Sequence, residues 1–306
     1  MHVASLVPAA TETLFALDVP PVAVSHACDY PPAAQSRPVI DRTHVDSEAS
    51  AAEIDEQVAE AFEARGSPFE IDTETLAAVD PDCLITQGVC EVCAVSDSHV
   101  REALAAADIQ ADLLTTHPHT FAEVLTSIEE IGARVDATER ATALVDRIRG
   151  RFERVNAAVN GRDRPTVLVL DWTDPPMVAG HWVPDLVRRA GGEPVLASPG
   201  EPSGAVSWEQ VQVADPDVIL VAPCGFGVSR AEQALDALRE RPGWETLGAV
   251  QAGHVHALDG SALVNRPGPR LAETLDVFAE LIHPTAFDKA PMEYVRRRVA
   301  YPADTQ

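Results

Sequence analysis

A nine-residue pattern occurs twice in the chain. Ala78-Val79-Asp80-Pro81-Asp82-Cys83-Leu84-Ile85-Thr86 is echoed by Val213-Ala214-Asp215-Pro216-Asp217-Val218-Ile219-Leu220-Val221. Each copy places Asp-Pro-Asp between a helical pattern and a short apolar run. Proline ends the helix, because it lacks the N–H that the next turn needs and its ring crowds the preceding residue. A short apolar run bounded by turn residues reads as a buried strand. Two helix-to-strand units of one design, far apart in sequence, restrict the chain to an α/β architecture built twice.

The rest of the sequence fits that frame. In the first half, strands are expected at His2–Val7, Val22–Ser25, Cys83–Thr86 and Asp112–Thr115. Helices are expected at Thr11–Ala16 with Thr11 as N-cap, and at 53–65, Thr73–Val79 and 97–107. Residues Phe121 to about Asn160 lack proline and carry apolar residues at three- and four-residue intervals. They read as one long helix, or two with a break near Asp136. Beyond Arg164-Pro165 the alternation resumes. Strands are expected at Val167–Asp171, Val218–Ala222 and Val255–Leu258, and helices at Val183–Ala190, Trp208–Val213, 230–240 and Pro269–Leu281. The expected fold is two Rossmann-like lobes with parallel sheets, joined by a long linking helix. Its divisions are 1–120 (first lobe), 121–163 (linking helix), 164–283 (second lobe) and 284–306 (tail), with a ligand cleft between the lobes.

Charge limits the partners. Asp and Glu number 48 against 23 Lys and Arg, a formal net charge of −25, and Lys289 is the only lysine. Such a surface repels phosphate backbones, which argues against nucleic acid. An acidic shell with almost no lysine suits high salt, where self-repulsion is screened. No apolar run reaches the 18 residues of a membrane span. The start of the chain has neither a basic, apolar leader nor a lipid-attachment cysteine, so a cytoplasmic location is expected, or an extracytoplasmic one if the start is misassigned. The odd number of cysteines, Cys28, Cys83, Cys90, Cys93 and Cys224, argues against a disulfide framework. Lys289 and Arg296-Arg297-Arg298 make the tail a locally neutralising segment.

Cys, His and Trp concentrate in the loops after the strands, where open parallel sheets bind ligands. Cys90-x-x-Cys93 has the spacing of a zinc or thiol redox pair, with Cys28 and one of His26, His117 or His119 to complete a site. Thiols packing as small apolar groups fit the same residues. His117 and His119 flank Pro118 and leave an extended segment on one side, which suits metal or ligand contact as well as a solvated role. Trp172 and Trp182 suit either the flat walls of a planar ligand site or the core. Cys83, Trp208 and Trp244 read as packing residues. No phosphate loop, nucleophile elbow, complete dinucleotide fingerprint or His-Glu-x-x-His motif is present, so no enzyme class is indicated.

Ser5-Leu6-Val7-Pro8-Ala9-Ala10-Thr11-Glu12 resembles the opening of the Fe/B12-type periplasmic-binding domain family. The cobalamin-binding, BtuF-like subset of that family has close counterparts of Cys28-Asp29-Tyr30-Pro31 and of the Thr86–Cys93, His117–Thr120, Ala179–Pro184, Ala222–Phe226 and Asn265–Arg270 segments. The resemblance spans about residues 2–283. It implies a solute receptor that binds cobalamin or a related corrinoid or metal chelate for an ABC importer. Under it, the ligand-contacting residues are Pro8, Tyr30, Gln87, Trp172, His181, Trp182, Phe226, Asn265 and Arg266. Receptors of this kind are secreted or lipid-anchored, and the cysteine and histidine loops exceed what a plain corrinoid clamp needs. The alternative is therefore a cytosolic metalloprotein or metal-dependent enzyme, with zinc or an iron–sulfur cluster on Cys28, Cys90, Cys93, His117 and His119.

Overall fold

A computed structural model describes residues 1–90, 92, 94–287 and 294–296. The chain divides into two compact units. One contains Met1–Pro118 and Ala122–Ile148, the other His119–Phe121 and Arg149–Gln306.

The first unit contains β1 (Val3–Ser5), α1 (Pro8–Ala16), β2 (Ala23–Val24), β3 (Asp41–Thr43), α2 (Ala51–Arg65), β4 (Phe69–Ile71), α3 (Thr73–Val79), β5 (Cys83–Gln87), α4 (Asp97–Ala106), β6 (Asp112–Thr116) and α5 (Phe121–Arg134, of which Phe121 belongs to the other unit), with the start of α6 (Thr138–Val159). Its sheet is parallel, in the order β2-β1-β5-β6. Leu6, Ile40, Leu76, Leu84, Val95 and Val100 are among the residues that form its core. β3 and β4 form a separate antiparallel pair. Helix α2 begins with a reciprocal capping box, Ser50 to the Glu53 N–H and the Glu53 carboxylate to the Ser50 N–H.

The second unit contains the rest of α6, then β7 (Thr166–Thr173), β8 (Pro176–Val178), α7 (Val183–Arg189), β9 (Glu193–Pro194), β10 (Gly204–Ala205), α8 (Trp208–Ala214), β11 (Val218–Val221), α9 (Val228–Arg239), α10 (Gly248–Ala252), β12 (Val255–Leu258), α11 (Leu271–Ile282) and β13 (Val295–Arg296). Its strands run in the order β10-β8-β7-β11-β12-β13, with β9 beside the start of β7. The sheet is mixed, not parallel throughout as expected. β7, β11 and β12 are parallel, whereas β8, β10 and β13 join antiparallel. The cause is local: β7 runs on to Thr173, and the turn at Asp174-Pro175 folds β8 back along it.

Both Asp-Pro-Asp segments do the same two jobs. The first aspartate closes a helix in the left-handed region, Asp80 after α3 (φ 44°) and Asp215 after α8 (φ 37°). The second tethers the start of the neighbouring strand. Asp82 accepts from the His2 N–H at 2.6 Å, and Asp217 accepts from the Thr166 N–H and hydroxyl, both at 2.7 Å. The repeat thus fixes where β1 and β7 enter their sheets.

One sequence expectation requires correction, and another had left open one helix or two. Thr11 does not cap α1. The helix starts at Pro8, whose missing N–H costs nothing at the first position. Thr11 is buried inside it, donating to the Ser5 hydroxyl at 2.9 Å. The proline-free stretch is two helices. α5 ends in a turn through Asp136 (φ 54°), where the Ala137 N–H reaches the Gly132 carbonyl at 2.7 Å. In the tail, β13 pairs with β12, while Lys289, Arg297 and Arg298 lie outside the described residues.

Candidate ligand-binding site

In the first unit the candidate residues gather at the carboxyl ends of β1, β2, β5 and β6, and they differ in accessibility. Pro8 is half-buried and opens α1. Cys28 is buried, and its sulfur lies 3.1 Å from the Thr11 hydroxyl, on the chain that runs through Ser5 to the Val7 carbonyl. This thiol belongs to the packing beneath the β1–α1 turn. Tyr30 is exposed. Gln87 is buried at the end of β5, and Gly88 and Cys90 follow it toward solvent. The exposed His117 ring lies against Gly88, where an added Cβ would come within 2.2 Å of the imidazole Cε1 and the ring would have to shift. His26 is held by Asp41, whose carboxylate accepts from the His26 N–H and contacts Nδ1, each at 2.7 Å.

Cys93 lies outside the described residues. Among the described residues, no group of three or more His, Cys, Asp or Glu is placed to hold a metal ion. A structural zinc or an iron–sulfur cluster takes four protein ligands. Of the residues expected to form it, Cys28 has a hydrogen-bonded place in the packing.

The second unit builds a denser constellation. At the end of β7 the ladder is irregular between Leu170 and Trp172, which puts Asp171 at a bulge. Among the described residues its buried Oδ1 has no hydrogen-bond partner, while Oδ2 accepts from the Ser203 hydroxyl at 2.5 Å. Burial raises the Asp171 carboxyl to about 6, opposed by the Ser203 hydrogen bond. The half-buried Trp172 ring packs at 5.4 Å against Phe226, and the Arg230 guanidinium sits 3.8 Å over the other ring of that pair, Phe226. Trp, Phe and Arg thus form an aromatic–cation cluster near the Asp171 carboxylate, with the Trp172 and Phe226 planes tilted by 57°.

The loop after β8 places the next residues. Gly180 donates to Ser203 Oγ at 3.0 Å, and an added Cβ there would meet the backbone of 201–203 at 2.4 Å. His181 follows with a left-handed backbone (φ 53°), fixed by its N–H to the Glu201 carbonyl at 2.5 Å and by the Gly200 N–H to its carbonyl at 3.0 Å. Its ring meets His119, Nδ1 to Nδ1 at 3.2 Å. Burial first, and the neighbouring imidazole second, lower the His181 pKa and favour its neutral form. Trp182 is buried and donates to the Val264 carbonyl at 2.9 Å. It is a wall of the core, not an open face.

Asn265 and Arg266 also brace the loops. The Asn265 amide donates to the Ala222 and Gly260 carbonyls at 3.0 and 3.1 Å, tying the β11 loop to the π-helical turn Gly260–Val264. The buried Arg266 donates to Ser261 Oγ at 3.2 Å. The half-buried Cys224 sits in the same β11 loop, its N–H bonded to the Asp171 carbonyl at 3.0 Å. Sequence reasoning missed Asp171, Ser203 and Arg230. A carboxylate closing the apolar run Val167–Leu170 was the available signal for Asp171. Ser203 and Arg230 gave none, because their roles depend on which loops meet.

The comparisons with known proteins agree with this architecture. A curated relative, the uncharacterised ABC transporter substrate-binding lipoprotein YvrC of Bacillus subtilis (strain 168), is 25% identical over 177 residues, 57% of this chain and 54% of the relative. The match thus spans about half of that protein's length. A periplasmic haem-binding protein from Pseudomonas aeruginosa shares the fold with a TM-score of 0.72 at 19% identity, over 96% of each chain. The periplasmic vitamin B12-binding protein BtuF of Vibrio cholerae does so with a TM-score of 0.65 at 22% identity, over 92% of this chain and 96% of that one. Residues 3–262, from β1 to the turn that Asn265 braces, match the periplasmic binding protein family as a whole. With a family match over most of its length, this chain belongs to the periplasmic binding protein family, a family of binding proteins and not of enzymes.

Proposed function

We propose that this protein is the solute receptor of an ABC importer and that its cargo is a flat metal chelate of the corrinoid or haem type, with cobalamin first. The observation that carries the reading is the cluster of the half-buried Trp172, the Phe226 ring tilted against it and Arg230 over Phe226, at the ends of β7 and β11. A half-buried indole backed by a second ring and a cation offers a planar, polarisable face to a macrocycle. Asp171 and Ser203 stand at the same strand end to accept or donate hydrogen bonds to a corrin's amide edge. Fold-mates that bind haem and vitamin B12 support the cargo class. In this role the protein works outside the cytoplasmic membrane.

The test compares cyanocobalamin affinity of Trp172→Ala with that of the wild type and of Trp208→Phe, a substitution in the separate Trp208–Trp244 stack. Loss of stacking is expected to weaken binding by about tenfold or more in Trp172→Ala, with Trp208→Phe unchanged. Equal affinity in all three would remove Trp172 from the site. Saturable binding of haem alone would reassign the cargo.

A further inference from the structure

The geometry points to a second, independent site: His119 and His181 form a two-imidazole binding site for a divalent transition-metal ion such as Zn²⁺ or Co²⁺. The two Nδ1 atoms are 3.2 Å apart, and the ring centroids 5.2 Å apart with planes tilted by 42°. Two imidazole nitrogens at 2.0–2.1 Å from a tetrahedral zinc lie about 3.3–3.4 Å apart. The spacing between the histidines is thus the bite that one ion requires. The torsion about the ring bond is soft, so a modest rotation of either ring converges both lone pairs on one point.

The pair is also prearranged. His181 holds a left-handed backbone that non-glycine residues rarely adopt, and two backbone hydrogen bonds fix it. The Gly180 contact with 201–203 leaves no slack in the loop. On its other side the His181 ring stacks on Trp182, centroids 5.8 Å apart, whose indole is anchored to Val264. Backbone strain held by surrounding structure concentrates at functional sites. Burial first, and the neighbouring ring second, favour the neutral form of His181, the form that ligates metal. Two protein ligands leave the remaining coordination positions to water or to a donor atom of a bound solute. The affinity is therefore that of a loose, exchangeable site and not of a structural zinc. Nothing in this argument depends on which chelate the protein carries.

The experiment titrates purified, metal-stripped protein with Co²⁺, reading the visible absorbance of the bound ion, and displaces it with Zn²⁺. Four proteins are compared: the wild type, His119→Gln, His181→Asn (asparagine tolerates the left-handed backbone) and His254→Gln as a control at an exposed histidine. The wild type and the control are expected to bind one equivalent. Each of the other two variants is expected to lose more than about tenfold in affinity. Affinity is also expected to fall on acidification, as protons compete with the metal ion for its ligands. Urea midpoints confirm that each variant is folded. No binding by the wild type would show that the pair is a plain hydrogen bond and overturn the proposal. Binding that survives in both His119→Gln and His181→Asn would place the ion elsewhere and overturn it equally.

Discussion

Asp171 is an ionisable group whose protonation the fold has reset. A carboxyl held near 6 when folded and near 3.8 when unfolded binds more protons in the native state across that interval. Its contribution to stability is therefore present in acid and is lost as the pH rises from about 4 through 6, up to roughly 3 kcal/mol. Asp171→Asn keeps an acceptor for Ser203 and removes the titration. Urea midpoints from pH 4 to 7.5 should fall more steeply with rising pH in the wild type than in the variant. Parallel profiles would show that the carboxylate is solvated. Gly180 makes a second prediction at this scale. With backbone atoms 2.4 Å from an added Cβ, Gly180→Ala must shift the 201–203 segment, and it should cost more than about 1 kcal/mol. An unchanged urea midpoint would contradict the close packing of that loop. The positions of Trp172 and Phe226 at strand ends were legible in the sequence, because the apolar runs before them mark the strands. Single residues were illegible where a partner decided the role. Cys28 resembled a metal ligand in sequence, and its bond to Thr11 becomes visible only once α1 is known to start at Pro8.

At the scale of elements, the long periodic segments were read well. α3 and β12 fall where their patterns place them, because caps and apolar runs are local signals. The short strands β3, β4, β8, β9 and β10 were missed, since two or three residues carry no periodicity and pairing alone defines them. The split between α5 and α6 was left open by the sequence and is settled by packing. Gly132 lies where an added Cβ would fall 2.3 Å from the Ala141 Cβ, so the two helices cross with no room for a side chain. Gly132→Val is expected to destabilise the protein by at least about 2 kcal/mol, read as a lower urea midpoint. A midpoint within error of the wild type would show that the crossing is loose.

At the scale of the whole molecule, a net charge of −25 sets the conditions under which any of this can be measured. Screening shortens from about 10 Å at 0.1 M salt to about 3 Å at 1 M. The melting temperature is expected to rise by at least a few degrees between 0.1 and 2 M NaCl, as self-repulsion is removed. A falling melting temperature would mean that attractive ion pairs such as Arg42–Glu70 and Arg101–Asp97 outweigh the net repulsion. The family match describes a scaffold for binding, and the proposed cargo rests on the aromatic cluster at Trp172. The direct test is a titration of the purified wild-type protein with cyanocobalamin in molar salt, following tryptophan fluorescence and corrin absorbance together. The account predicts saturation of both signals at one equivalent with micromolar or tighter affinity. No saturable change with cyanocobalamin or with haem would contradict it.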